Sequence, residues 1–278
     1  MSSIKDRQRA AARARLEKEM AERSAAARKR RQRQAVLGSA IALVLVVAGS
    51  VWLVTALNDD GEDTSNKAGG AAPGTTNCVW NPDASGNPNL KDVGTPPTAV
   101  PNVGNAVMTL DTNLGVVQAA LDLSKVPCTA ASFMYLSGKK FFDNSKCHRL
   151  VHSPEFKVLQ CGDPSATGKG YRETDGTGGP SYKFAEENLP TGKEPAYPEG
   201  VIAMAKTREP NSTGSQFFIV YGDTKLDASY TVLGTITKGL DLIKQVGAAG
   251  DDKAFAEQSG GGHPKKETII KSLTVTKA

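Results

Sequence analysis

Asn211-Ser212-Thr213-Gly214-Ser215-Gln216-Phe217-Phe218-Ile219-Val220-Tyr221 is the stretch on which the reading of this chain turns. Gly214-Ser215 carries turn chemistry, and Gln216–Tyr221 is a short apolar, aromatic-rich run that reads as a strand. Working outward, similar runs recur between turn residues: Cys147–Val151, Val158–Gln160, Val201–Ala205, Tyr230–Ile236 and Thr268–Thr276. Val107–Thr112 and Val116–Leu121 read as two strands around the turn Asn113-Leu114-Gly115. Cys128–Leu136 has apolar residues at helical spacing, with Pro127 and Thr129 marking its start, and Leu240–Val246 is a second short helix. Many short strands with two helices predict a mainly β, closed antiparallel barrel over residues 105–278.

The part before this domain has a different composition. The chain has 278 residues, 39% hydrophobic and 23% charged, which excludes wholesale disorder. Its net charge of +5 is unevenly placed: residues 1–34 hold 12 Lys/Arg against 4 Asp/Glu, a net +8, which leaves −3 for the rest. That asymmetry argues against a nucleic-acid-binding protein. Residues 35–57 are 23 in a row without a charge. As a helix they reach roughly 35 Å, enough for a bilayer core of about 30 Å. Arg28–Arg31 and Arg33 precede this run, and Asp59, Asp60, Glu62 and Asp63 follow it. The positive-inside rule then predicts a cytoplasmic basic helical segment (1–34) and an extracytoplasmic remainder, and the length of the apolar run favours an uncleaved signal anchor over a signal peptide cleaved near Val54-Thr55-Ala56. Residues 58–104, rich in Gly, Pro, Asn and Ser, read as a flexible spacer, interrupted by Cys78-Val79-Trp80, which predicts a docking point.

The domain lacks the usual equipment of hydrolases, redox enzymes and metalloenzymes. It has no Gly-x-Ser-x-Gly, His-Glu-x-x-His, phosphate loop or Cys-x-x-Cys, and His148, His152 and His263 are not at metal-ligand spacing. No metal and no cofactor is expected. Asn211-Ser212-Thr213 also fits a glycosylation sequon, which carries little weight inside a longer motif.

That longer motif is Phe141-Phe142-Asp143, Cys147-His148-Arg149-Leu150-Val151, Gln160-Cys161-Gly162-Asp163-Pro164, Met204-Ala205, Asn211–Ile219, Leu226-Asp227 and Val232-Leu233-Gly234, in this order. Over about 170 residues from Ala106 onward it closely resembles the cyclophilin family of peptidyl-prolyl cis–trans isomerases, here in a membrane-anchored bacterial layout. The resemblance implies an eight-stranded antiparallel barrel capped by two helices, and an enzyme that twists X-Pro amides without a nucleophile or cofactor. Arg149 matches the family's catalytic arginine and Gln160 the glutamine that orients it. Phe218 matches the pocket phenylalanine, with Met204 and Leu226 near it. Ala205 and Lys206 match the segment that pairs with substrate backbone, and Gln216 a second polar residue of the groove. The implied partners are proline-containing segments of unfolded or secreted proteins.

There are departures from the family pattern. About three extra residues lie between Arg149 and Gln160, and the usual Phe-Met pair before the glutamine is missing. Lys157 and Val158 fall there by counting, with Phe156 one residue off unless a bulge returns it to the pocket. Lys225 replaces the family's tryptophan before Leu226, and Tyr230 replaces a pocket histidine. These changes imply weaker turnover and poor binding of cyclosporin-type inhibitors. They also leave open a second reading, a tethered proline-peptide binding module with little turnover. In a third, the basic tail is the working end and contacts lipid or a cytoplasmic partner. Cys147 and Cys161 flank Arg149 and Gln160 on consecutive strands. If these form a hairpin the two thiols face each other, leaving Cys78 and Cys128 to pin the spacer. Two other connectivities and free thiols stay open.

Overall fold

The computed structural model describes residues 72–278. The basic segment 1–34, the apolar span 35–57 and the first part of the spacer lie outside the described residues. Among the described residues no helix is long and apolar enough to cross a membrane.

The domain is mainly β with two helices. Its strands are β5 (Asn105–Thr112), β6 (Gly115–Asp122), β7 (Ser145–Lys146), β8 (Arg149–Ser153), β9 (Phe156–Cys161), β12 (Val201–Met204), β13 (Phe217–Val220), β14 (Val232–Lys238) and β15 (Ile269–Lys277). They form one antiparallel sheet in the order β7-β15-β5-β6-β14-β12-β13-β9-β8. The architecture is a half-barrel. It has nine strand segments where eight closed strands were expected, and the reason lies at Cys147-His148. The Cys147 N–H donates to the Thr268 carbonyl (2.9 Å), whereas the His148 N–H donates to the Gln160 carbonyl (3.0 Å). Pairing passes there from β15 to β9, so one chain segment is split between the two edges of the sheet.

Side-chain alternation sorts the strands into two apolar clusters. Met108 and Leu110 of β5, Val117 and Leu121 of β6, and Phe217 and Ile219 of β13 join the main core. Phe218 and Val220, the intervening residues of β13, belong to a second, smaller cluster with Val158, Ala203 and Tyr197. All four residues of β12 and of β13 are therefore buried, one face toward each cluster. The second cluster is the floor of the functional site.

Helix α1 (Pro127–Gly138) has Pro at its first position, which suits an N–H that has no helical partner. Its N-cap residue Val126 offers no capping side chain. Instead Glu187, distant in sequence, accepts the N–H of Thr129 (2.6 Å) and of Cys128 (3.4 Å). Phe133 and Leu136 carry the helix onto the main core. Helix α2 (Leu240–Ala249) packs through Ile243, Val246 and Gly247. A Cβ on Gly247 would collide with the Tyr221 ring, so the closeness of this contact requires glycine.

The spacer reading needs correction from residue 75 onward. β1 (Thr75–Asn77) pairs with β4 (Ala99–Pro101), β2 (Asn81–Pro82) with β11 (Tyr182–Lys183), and β3 (Leu90–Lys91) with β10 (Gly179–Pro180). Trp80 stands edge-on to Tyr182 (5.4 Å) and Phe184 (5.3 Å), as its docking role predicted. A disulfide joins Cys78 to Cys128 in the first turn of α1, and another joins Cys147 to Cys161. Composition predicts flexibility because Gly, Pro and Asn bury little apolar surface. The clip comes from one aromatic, one disulfide and backbone pairing to the domain.

Candidate functional site

The site is assembled on adjacent strands β8, β9, β13 and β12. Register places Arg149 opposite Gln160, Gln160 opposite Phe218, and Phe218 opposite Ala203. The period of two along β9 sends Phe156, Val158 and Gln160 to one face, and the first two pack on the second cluster beside Phe218. The lengthened hairpin thus returns Phe156 to the pocket while Lys157 is turned away from it. Phe156, Val158, Phe218, Leu226 and Tyr230 line one cavity of about 420 Å³, with Arg149 and Gln160 at its edge. Tyr230 meets Phe218 edge-on at 5.7 Å.

Met204 does not belong to this cavity. Its neighbours Ala203 and Ala205 face the second cluster, so alternation turns Met204 into the main core, where it is fully buried. The family resemblance placed it near Phe218 in the pocket, but strand geometry turns the two side chains to different clusters. Lys225 lies at the surface, paired with Glu155.

Arg149 is held by a polar chain. Its Nη1 donates to Gln160 Oε1 (3.2 Å), Gln160 Nε2 donates to Gln216 Oε1 (2.9 Å), and Gln216 Nε2 donates to the carbonyls of Gly176 (2.7 Å) and Gly178 (2.9 Å). The fully buried Asp163 carboxylate accepts the N–H groups of Gly176 (2.6 Å) and Gly178 (3.1 Å), which fixes the loop that ends the chain. Burial lowers the Arg149 pKa below the ordinary arginine value, partly offset by Tyr230. The guanidinium remains charged at any physiological pH.

A second cavity, also about 420 Å³, adjoins the first and shares Gln160, Gly176, Thr177, Ala205 and Lys206 with it. Gln216 lines this one, together with Asp83, Ser85 and Asn87 of the N-terminal lead-in. Lys206 is anchored there by Glu186 (3.4 Å).

Five contributing residues were not legible in the sequence. Tyr197 lies behind Phe218 (6.1 Å), and its hydroxyl accepts the Tyr230 N–H (2.8 Å) and reaches the Tyr230 carbonyl (3.0 Å). Burial pushes its pKa up to about 12. The carbonyls of Ser259 and Gly260 accept from Arg149 Nη2 and Nε. Phe255 and Gln258 complete the cavity wall. Backbone acceptors leave no residue signature, and no motif marks Tyr197 or Phe255.

A family model for the cyclophilin type peptidyl-prolyl cis-trans isomerases matches residues 107–275, more than half of the chain. This chain belongs to that family. It is 39% identical over 214 residues to a probable peptidyl-prolyl cis-trans isomerase B of Mycobacterium leprae, covering 71% of this chain and 66% of the relative. A probable peptidyl-prolyl cis-trans isomerase B of Mycobacterium tuberculosis is 39% identical over 210 residues, covering 71% and 63%. The matched part thus spans slightly under two thirds of these relatives' length. A crystal structure of a cyclophilin type peptidyl-prolyl cis-trans isomerase from Cryptosporidium parvum superposes with a TM-score of 0.50 at 26% identity, covering 63% of this chain and 99% of that one.

One buried group beside the site titrates unusually. His148 is 3% exposed, and neither ring nitrogen finds a hydrogen-bond partner among the described residues. Burial lowers its pKa to about 4, against the opposing pull of Asp163 and Asp175. The unfolded chain takes up this proton below about 6.5, the folded one only below about 4. Stability is therefore fully present above pH 6.5 and is lost as pH falls through that window, by up to about 3 kcal/mol. Melting temperatures from pH 7 to 4.5 are expected to fall less steeply for His148→Gln. Equal slopes for the two proteins would refute the assignment.

Proposed function

We propose that this chain accelerates cis–trans isomerisation of X-Pro bonds in proline-containing peptide segments. The observation that carries the reading is Arg149, held in plane at the edge of an apolar cavity floored by Phe218. The barrier of about 18–20 kcal/mol comes from amide resonance, so the enzyme has only to favour the twisted amide over the planar one. A proline ring in the cavity rests on Phe218, with Phe156, Val158, Leu226 and Tyr230 around it. As the bond twists, the prolyl nitrogen becomes pyramidal and basic, and a guanidinium N–H donates to it. A gain of ~10⁵ in rate corresponds to about 7 kcal/mol of selective stabilisation. An isomerisation assay on proline peptides, with wild type beside Arg149→Ala, tests the reading. A rate at background for folded wild type rejects catalysis and favours a binding module.

The second part of the proposal is place. The uncharged span 35–57, with basic residues before it and acidic ones after, supports a single-pass anchor with a cytoplasmic N-terminus. Two disulfides in the folded domain support an extracytoplasmic, oxidising location, where secreted proteins emerge unfolded. Protease added outside intact cells is expected to digest the domain and spare residues 1–34. Protection of the domain until lysis would overturn this placement.

A further inference from the structure

Arginine has five N–H donors. In this site Nη1 gives one to Gln160, Nε gives its only one to the Gly260 carbonyl (3.3 Å), and Nη2 gives one to the Ser259 carbonyl. One donor on each Nη is left for a substrate. Two of the three fixed contacts come from the loop between α2 and β15, which lies outside the motif that identifies the family.

This loop is built rather than draped. At its base, Asp251 bridges Pro264, and the Lys265 N–H donates to the Gly250 carbonyl (2.9 Å). Asp252 gathers both arms: Oδ1 accepts the N–H of Ala254 (3.0 Å) and of His263 (2.7 Å), and Oδ2 meets His263 Nδ1 (2.8 Å). The His263 ring stacks on Tyr171 (4.4 Å) and takes the edge of Phe255 (4.7 Å). At its tip, Gly262 exchanges both backbone hydrogen bonds with Leu150, the residue next to Arg149 (2.8 and 3.0 Å). Gly260 and Gly261 have φ of +80° and +73°, and a Cβ on Gly261 would collide with the Leu150 carbonyl oxygen. The glycine run is therefore what lets the loop lie on β8 close enough for its carbonyls to reach the guanidinium.

We propose that the loop Asp252–Gly262 is a positioning clamp for Arg149, locking the guanidinium plane from the side opposite Gln160 so that its two remaining donors face the cavity. The clamp serves the isomerase reading given above and rests on it. Its carbonyls carry partial negative charge and suit a cation that must stay fixed while the amide twists. The floor and most apolar walls of the cavity (Phe218, Phe156, Val158, Leu226 and Tyr230) come from outside the loop, which adds only Phe255, Gln258 and Ser259 at one side, so the clamp acts more on turnover than on proline binding.

The test uses the full chain with Gly261→Ala, Asp252→Ala and Asp252→Asn. Nitrogen-resolved NMR reads solvent exchange of the Arg149 Nε–H, and isomerisation kinetics separate kcat from KM. The wild-type Nε–H is expected to exchange slowly, and in Gly261→Ala and Asp252→Ala to exchange fast. In those two variants kcat is expected to fall at least about tenfold, with KM within about twofold of wild type. Asp252→Asn keeps the acceptor for both backbone N–H groups and is expected to restore slow exchange and most of kcat. Fast exchange of the wild-type Nε–H overturns the clamp, as does a folded Gly261→Ala with wild-type kcat. If Gly261→Ala fails to fold, Asp252→Ala decides, since its side chain is 46% exposed and leaves the core intact. Wild type without isomerase activity defeats the isomerase reading alone, and the exchange measurement still judges the clamp.

Discussion

Arg149→Ala is expected to lower kcat/KM for X-Pro isomerisation by on the order of 10²–10³, equivalent to about 3–4 kcal/mol of lost transition-state stabilisation. The ground-state planar amide offers the guanidinium little, because its nitrogen lone pair is delocalised. The twisted amide offers a localised lone pair and a more polar carbonyl, so the interaction strengthens as the barrier is climbed. Affinity for a proline peptide is set mainly by the Phe218 floor and its apolar walls and is expected to change little. Arg149→Lys is expected to recover little of the loss, since an ammonium cannot satisfy Gln160, Ser259 and Gly260 in a plane and still present two directed donors. Equal kcat/KM for wild type and Arg149→Ala, with both proteins folded, would remove Arg149 from the mechanism.

The second large effect concerns stability. Replacing Cys78 and Cys128 together by serine opens a loop of 50 residues. Chain-entropy arguments assign such a closure about 4 kcal/mol, which in a domain of this size lowers the melting temperature by roughly 10 °C. The cost falls unevenly. Apart from the disulfide, residues 75–101 are joined to the domain by two short strand pairs, β2–β11 and β3–β10, and by Trp80, so they are expected to detach first. Limited proteolysis is expected to cut near residues 83–89 in the variant and not in wild type. The proline cavity, which contains no residue of this segment, is expected to keep its turnover. The adjoining cavity loses the wall formed by Asp83, Ser85 and Asn87, so preferences for residues flanking proline are expected to change. An unchanged melting temperature would show that the disulfide constrains nothing the strand pairs do not already hold.

Much of the site was legible through the resemblance of short motifs to the cyclophilin family. Arg149, Gln160 and Phe218 lie in three separate motifs, and the structure brings their strands into one register. Phe156 needed the structure: counting back from Gln160 put Lys157 at the family's phenylalanine position, and only the pairing Ser153–Phe156 shows that the longer hairpin restores the aromatic. Met204 failed for the complementary reason, since neighbours on a strand point to opposite faces.

The sequence by itself determined the strand and helix content of residues 105–278, because periodicity and turn residues are properties of short segments; it favoured one cysteine pairing over its alternatives, and its motifs singled out Arg149, Gln160 and Phe218 through their resemblance to the cyclophilin family. Only the tertiary structure decided that the lead-in is clipped to the domain, that Glu187 caps α1, and that Ser259 and Gly260 grip Arg149. Those contacts join residues about 60 to 110 positions apart, often through backbone atoms that every residue carries alike. A backbone carbonyl becomes specific only by where the fold puts it.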